Sequence, residues 1–561
     1  MKKNEKVKEY REIIDFKQMM AENKIIYKNE VAFLKSLGNN KYEEVTYDTY
    51  TNHVNAIGSA LLDMGYKDAF IGVMGLNSYE WCVTYMAVFN GAGVIVPIDK
   101  ELNVDEIEYI AKESKIKVLF YQKKHKEKIK GIKKRNTFIE KYVCMDDDMD
   151  IEFYKLLDEG KKTLENDTSY LDIVIDVNEL RVLLFTSGTT GTAKGVMLCH
   201  RNLVAQMYGI SRIIELSKDD VAFSVLPIHH TFESTCGFLA MMYSGGSLGF
   251  CEGLKQFANN IVTIKPTIMA VVPLILEGLH TKIFKKANSK FATKIAFKIL
   301  LFIAPILSFK TRKKLFHTVH DSLGGRIKNF ISGASAISVK VSKDFEKMGI
   351  RVLQGYGLTE TSPISLGNRE YNYRHGALGM EFPGVQVKLN DVDEKGIGEI
   401  LIKGDNVMLG YFNNEEATNE VIKDGWFYSG DLARVEKDGF YYMTGRKKNL
   451  IITKTGKNIF PEELEAVLNE NQFIFESMVT GSEEDVTKED YIQAHIVPHF
   501  DKIKEAFGRL PSKEEMRKFI EEEIKKINKK LPAFKKIKKI VVRDKEFEKT
   551  TTKKIKRHKN K

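Results

Sequence analysis

Between Phe185 and Gly195 the chain reads FTSGTTGTAKG. Gly188, Gly191 and Gly195 permit backbone conformations in which several N–H groups converge on one anion. Thr186, Ser187, Thr189, Thr190 and Thr192 add hydroxyl donors, and Lys194 adds positive charge. Such a segment suits a run of phosphates. It is not a Walker A loop, which needs Gly before its Lys and Ser or Thr after it; here Ala193 precedes Lys194 and Gly195 follows. Taken alone, the segment also reads as a polar strand-to-helix connection without a ligand.

The elements that must hold this segment are legible as alternating patterns. YTNHVNAIGSALLDMGY has apolar positions at helical spacing, FIGVMGLN is a short apolar run ending in turn residues, and EWCVTYMAVFNGAGVIVPID reads as helix, Gly-rich break and β-branched strand. RVLLF, VAFSVLP, IMAVVP and IKNFISG are apolar runs ending near Gly or Pro, as buried strands do. The alternation implies βαβ units and an α/β fold with parallel sheets. After about residue 375 short strands with DG and KG turns suggest a small β-rich subdomain. From about residue 447 the chain is rich in Lys and Glu, and Pro461 followed by Glu462 and Glu463 suits a helix N-terminus. The expected division is a large N-terminal domain over 1–446 and a small α+β C-terminal domain over 447–561.

Composition narrows the class. Of 561 residues, 43% are hydrophobic and 29% charged, as in a globular protein of two or more domains. No run reaches the roughly 18 apolar residues that a spanning helix needs. MKKNEKVKEYREIIDF lacks the apolar core of a signal peptide. Cys82, Cys144, Cys199, Cys236 and Cys251 are scattered without a CxxC pair, which fits a reducing, cytoplasmic setting. The net charge of +11 is unevenly placed: no acid stands between Glu277 and Asp321, and the final TTKKIKRHKNK is basic throughout. No nucleic-acid motif or basic–aromatic repeat accompanies the charge.

FTSGTTGTAKG resembles the phosphate-binding signature of the AMP-forming acyl-CoA synthetases, members of the adenylate-forming superfamily. LPIHHTFE (226–233), ISGASAIS (331–338), QGYGLTET (354–361), GWFYSGD (425–431), GRKKNLIITKTGKNIFPEELE (445–465) and KTTTKKIKR (549–557) resemble that superfamily's further segments in order. The resemblance covers nearly the whole chain. It implies a two-step reaction: a carboxylate attacks the α-phosphate of ATP to give an acyl-adenylate and pyrophosphate, then a thiol takes the acyl group and AMP leaves.

The resemblance also implies roles. Thr186 to Lys194 cradle the β- and γ-phosphates. Tyr356, between Gly355 and Gly357, faces adenine; Thr359 meets the α-phosphate; Glu360 is the Mg²⁺ ligand, an oxygen donor for a hard ion. Asp431 accepts from both ribose hydroxyls, as a carboxylate can, and Arg446 assists at ribose or phosphate. Lys554 acts at the α-phosphate, although Lys553 stands where the superfamily has Gly. Lys448 is the hinge about which the small domain rotates, and Gly456 leaves room for the pantetheine arm of CoA. His230 and Phe232 are gate and wall of the acyl pocket, and Gly333 and Ala334 leave space on its other side. Ala193 replaces the usual Pro, so a more flexible loop is expected.

The acid itself is constrained less directly. No acidic residue for a substrate ammonium is evident near LPIHHTFE, which favours a plain carboxylic acid. Lys282, Lys286, Lys290, Lys294 and Lys298 recur every four residues, as a stripe winding around a helix, with Ile283, Ala287, Phe291 and Ile295 beside it. That stripe and the following ILLFIAPILSF suit the interface of an anionic membrane, where long-chain acids reside; solvated lysines on a helix pair are the plainer reading. Together these point to a long-chain fatty acid-CoA ligase, with an acyl carrier protein as alternative acceptor and a medium-chain or aryl acid as alternative substrate.

Overall fold

The computed structural model describes residues 11–135, 138–146, 151–186, 193–452, 458–481, 492–549 and 555–560. Two large sheets dominate the body, and the fold is α/β as expected. The first has nine strands, from Met380–Glu381 at one edge to Lys41–Thr46 at the other. Its interior strands Ser247–Phe250, Val221–Ser224, Ile268–Val271, Asn329–Ser332 and Arg351–Gly357 are parallel neighbours. The second has eight strands, centred on Ala69–Met74, Gly93–Ile98 and Val182–Thr186, again parallel. These strands are short apolar runs because helices cover both faces of a parallel sheet. Val118–Tyr121 and Ser247–Phe250, for example, are buried at every position. One continuous apolar core joins the two sheets, with Tyr50, Phe33 and Phe250 among its fully enclosed rings.

A third, five-stranded antiparallel sheet follows, built from Val385–Asn390, Ile397–Gly404, Ile422–Lys423, Trp426–Val435 and Tyr441–Arg446. The last part holds a three-stranded sheet (Ile474–Gly481, Ile492–Pro498, Ile537–Val542) and the helices Pro461–Asn469 and Lys513–Asn528 around their own core. Pro461 opens its helix at the first position, where a missing N–H costs nothing. Ser512 and Glu515 form a capping box on the other helix.

Two expectations need correction. The segment 187–193 does not lead from a strand into a helix. It joins Val182–Thr186 to Lys194–Leu198, which pair antiparallel with Thr186 opposite Lys194; the helix His200–Ile213 comes only afterwards. The lysine stripe is not on one helix either. Pro273–Ala287 ends at Asn288, and Phe291–Ile303 starts anew. Among the described residues, no helix is long and apolar enough to cross a membrane.

Candidate active site

The strand Arg351–Gly357 delivers Gly355, Tyr356 and Gly357 at its C-terminal end, the usual place for a ligand on a parallel sheet. The short turn Thr359–Thr361 follows at once and carries Thr359 and Glu360. Gly357 is required sterically, because a Cβ there would collide with the carbonyl of Pro363. The Tyr356 hydroxyl donates to Asp431 Oδ2 at 2.9 Å. Burial, and then the Asp431 carboxylate, push the Tyr356 phenol well above its usual range, so it stays a donor.

Asp431 and Arg446 face each other across two antiparallel strands, with Arg446 Nε 2.8 Å from Asp431 Oδ1. Asp431 is buried, yet Oδ1 accepts no well-formed hydrogen bond. A buried carboxylate oxygen in that condition suits a hydroxyl pair brought by a ligand. The turn before it is built with care: Asp431 N–H donates to Ser429 Oγ at 3.1 Å, and Ser429 Oγ donates to the Ile400 carbonyl at 2.7 Å. Glu399, which sequence reasoning missed, accepts from Gly430 N–H at 3.0 Å through one oxygen and pairs with Lys447 at 2.8 Å through the other. Lys448 comes next, in the short turn Lys447–Asn449. Burial, then Arg446, lower its pKa.

Thr186 and Lys194 pair with each other at the ends of the two strands that flank the glycine-rich segment. Ser187, Gly188, Thr189, Thr190 and Gly191 lie outside the described residues. Lys194 Nζ sits 4.8 Å from the centre of the Tyr411 ring. The Tyr411 hydroxyl donates to Glu360 Oε1 at 2.9 Å, and Glu360 O accepts from Met408 N–H at 2.9 Å. Tyr411 thus joins the lysine of the glycine-rich segment to the carboxylate of YGLTE. It stands far from both in sequence, and no local motif announced it.

On the acid side, Asn77 braces the segment 226–230. It accepts from Ile228 N–H at 3.1 Å and donates to Leu226 O at 2.6 Å. Phe232 and Gly333 do meet, but Gly333 leaves no open space: a Cβ there would lie 2.8 Å from the Phe232 ring, so its absence accommodates that ring. Ala334 holds a left-handed φ of 69°, uncommon without glycine. Close by, an apolar cavity of about 30 Å³ is lined by Ile210, Ile213, Cys236, Ile331, Leu353 and Gly355, among others. Glu233 is enclosed, and burial raises its pKa to about 8. An acid that the sequence did not reveal stands beside LPIHHTFE: Asp99, at the end of Gly93–Ile98, has its carboxylate 3.4 Å from His229 Nε2. The two are too far apart in sequence for any spacing to show it.

Gly456 and Lys554 lie outside the described residues. Arg557, three positions beyond Lys554, is anchored by two contacts to Glu465, at 2.5 and 2.6 Å, and donates to Val479 O at 3.0 Å. The end of the basic segment is therefore fixed to the body of the small unit.

The sequence profile of the AMP-binding enzyme family matches residues 23–412, and that of the AMP-binding enzyme C-terminal domain matches 448–561. The chain belongs to the AMP-binding enzyme family. Among curated relatives, fatty acyl-CoA synthetase A of Dictyostelium discoideum is 31% identical over 83% of this chain and 74% of that protein. Long-chain-fatty-acid–CoA ligase 5 of Rattus norvegicus is 29% identical over 91% of this chain and 80% of its own length. Among solved structures, an anthranilate CoA ligase in complex with anthranoyl-AMP superposes with a TM-score of 0.77 at 22% identity, covering 97% of this chain and 96% of that one. A Mycobacterium tuberculosis fatty acyl CoA synthetase gives a TM-score of 0.66 at 20% identity, covering 96% of each chain. This AMP-binding enzyme is an adenylate-forming acyl-CoA ligase that uses ATP and CoA.

Proposed function

We propose that the acid is a long-chain fatty acid, activated by ATP as its acyl-adenylate and passed to CoA with release of AMP and pyrophosphate. The observation that carries this reading is the apolar cavity beside Gly355, at the end of the strand that presents Tyr356. As it stands it has room for about two water molecules. A long chain can enter there only if the walls move apart. The names of the curated relatives support the same substrate class.

Joining a carboxylate to a phosphate brings two anions together, so the site must supply charge and orientation. In this reading Asp431 and Arg446 hold the ribose, Tyr356 borders the adenine and Thr359 meets the α-phosphate. The segment from Thr186 to Lys194 holds the departing pyrophosphate, and Lys554 stabilises charge at the α-phosphate. Glu360 suits Mg²⁺, which when bound would neutralise phosphate charge. His230 and Phe232 border the acid. The small domain turns about Lys448 between half-reactions and brings the backbone at Gly456 to the thiol.

Contact with an anionic membrane belongs to the same proposal. The helix Phe291–Ile303 has no buried residue. Phe291 and Phe302 are 80% and 86% exposed, and Ile295 and Ile299 stand between them. At 100° per residue these four positions fall within about 80° of the helix circumference, with Lys290, Lys294 and Lys298 along one border.

Pyrophosphate release with acids from acetate to arachidate, with and without CoA, tests the substrate class. Release should peak at long chains, with acyl-CoA formed only when CoA is added. Activity confined to short or aryl acids, or transfer only to an acyl carrier protein, would overturn it.

A further inference from the structure

Asp99, His229 and His230 place one potential ligand atom each within 4.8 Å of the other two. We propose that they form a binding site for a transition-metal dication of the zinc type, distinct from the Mg²⁺ expected at Glu360. Two imidazoles and a carboxylate are a common three-ligand set for zinc, leaving one position open. Asp99 Oδ2 and His229 Nε2 are already 3.4 Å apart, about the spacing of two ligands on a tetrahedral zinc with bonds near 2.1 Å. The third atom lies within 4.8 Å of the other two, so it needs to close by at most about 1.4 Å to reach that spacing.

A second observation points to a ligand. His229 is 6% exposed, and its Nε2 has no hydrogen-bond partner. A buried ring nitrogen left without a hydrogen bond is costly, and a metal would satisfy it. The Asp99 carboxylate already accepts from Glu101 N–H at 2.9 Å through Oδ1, which leaves Oδ2 toward the imidazole. The His229 and His230 rings are 4.1 Å apart between centres and tilted by 47°, so they are not stacked flat against each other. The Asp99 side chain is 11% exposed and His230 is partly exposed, so an approach from solvent would pass His230.

The frame is preorganised. Asp99 ends a strand of the eight-stranded sheet, whereas the histidines follow a strand of the nine-stranded sheet. Asn77 fixes the backbone just before them, and His230 N–H donates to Pro227 O at 3.1 Å. An ion held here would tie the two sheets together at the border of the acid site.

The test uses the full chain, stripped with chelator and titrated with Co²⁺ alone. One Co²⁺ per chain with the strong visible absorption of a four-coordinate site, displaced by Zn²⁺, is expected. His229→Gln and Asp99→Asn should each weaken binding at least tenfold, and Zn²⁺ should raise the unfolding temperature of the wild type but not of the variants. Absence of Co²⁺ absorption, or affinity unchanged in both variants, would overturn the proposal. Circular dichroism identifies a variant that has failed to fold, and the other variant then decides.

Discussion

Two apolar helices of this protein meet opposite fates. Tyr79–Ala87 is buried at all nine positions, whereas Phe291–Ile303 is buried at none. The first has Trp81 stacked on Tyr85, with ring centres 5.2 Å apart, and is covered on every side. The second rests on the body through its inner side, where Phe297 meets Phe284 and Phe316 edge-on, and turns its other apolar side outward. An apolar helix thus signals a core in one place and, in the other, where it is the more apolar of the two, a surface awaiting a partner. The flanking charge distinguishes them: the exposed helix lies within the lysine-rich stretch free of acids.

The largest effect should come from that charge. Replacing Lys282, Lys286, Lys290, Lys294 and Lys298 by Gln removes up to about 5 kcal/mol of attraction to anionic liposomes. Co-sedimentation should fall steeply, and an unchanged fraction would show that the exposed helix has no anionic partner. Next, Trp81→Ala should cost about 3–5 kcal/mol in urea unfolding. The matching surface change, Phe302→Ser, should stay within about 0.5 kcal/mol. If the second cost as much as the first, the outward face would be packed after all.

The smallest of the large effects is acid sensitivity on the buried side. His200 is fully enclosed against Phe89, its Nε2 2.9 Å from the Phe89 carbonyl, and its Nδ1 accepts from Phe16 N–H at 3.2 Å. Burial lowers its pKa to about 3. The unfolded chain takes up this proton near pH 6.5, so stability is full above that and falls as pH drops toward 3. At pH 5 the loss from this group is about 2 kcal/mol. Urea unfolding of wild type and His200→Gln at pH 7 and pH 5 should show a shallower decline in the variant; parallel declines would refute the assignment.

Local pattern was enough for the alternating strands and helices, and for Pro461 and its helix, because each depends on neighbours in sequence. Segments that run in order along the chain also singled out Tyr356, Asp431 and Arg446, which the fold brings together, and Glu360, which meets Tyr411. What stayed hidden were pairings made only by topology. Tyr411 reaches Glu360, Glu399 reaches Gly430 and Lys447, and Asp99 reaches His229 because sheets bring distant segments together. The helix break at Asn288 was hidden for another reason. Lysines every four residues continue across it and mask the weaker stop signal of Asn288 and Ser289.

Glu399 invites a last remark. It is 5% exposed, and its two oxygens serve two different clients, the turn that sets Asp431 and the lysine beside the linker. Withdrawing Lys447 would strand a buried charge on a single backbone donor, an expensive state. The turn at Asp431 and the chain at Lys447 are thereby wired to one switchboard: neither can be altered without the other registering it.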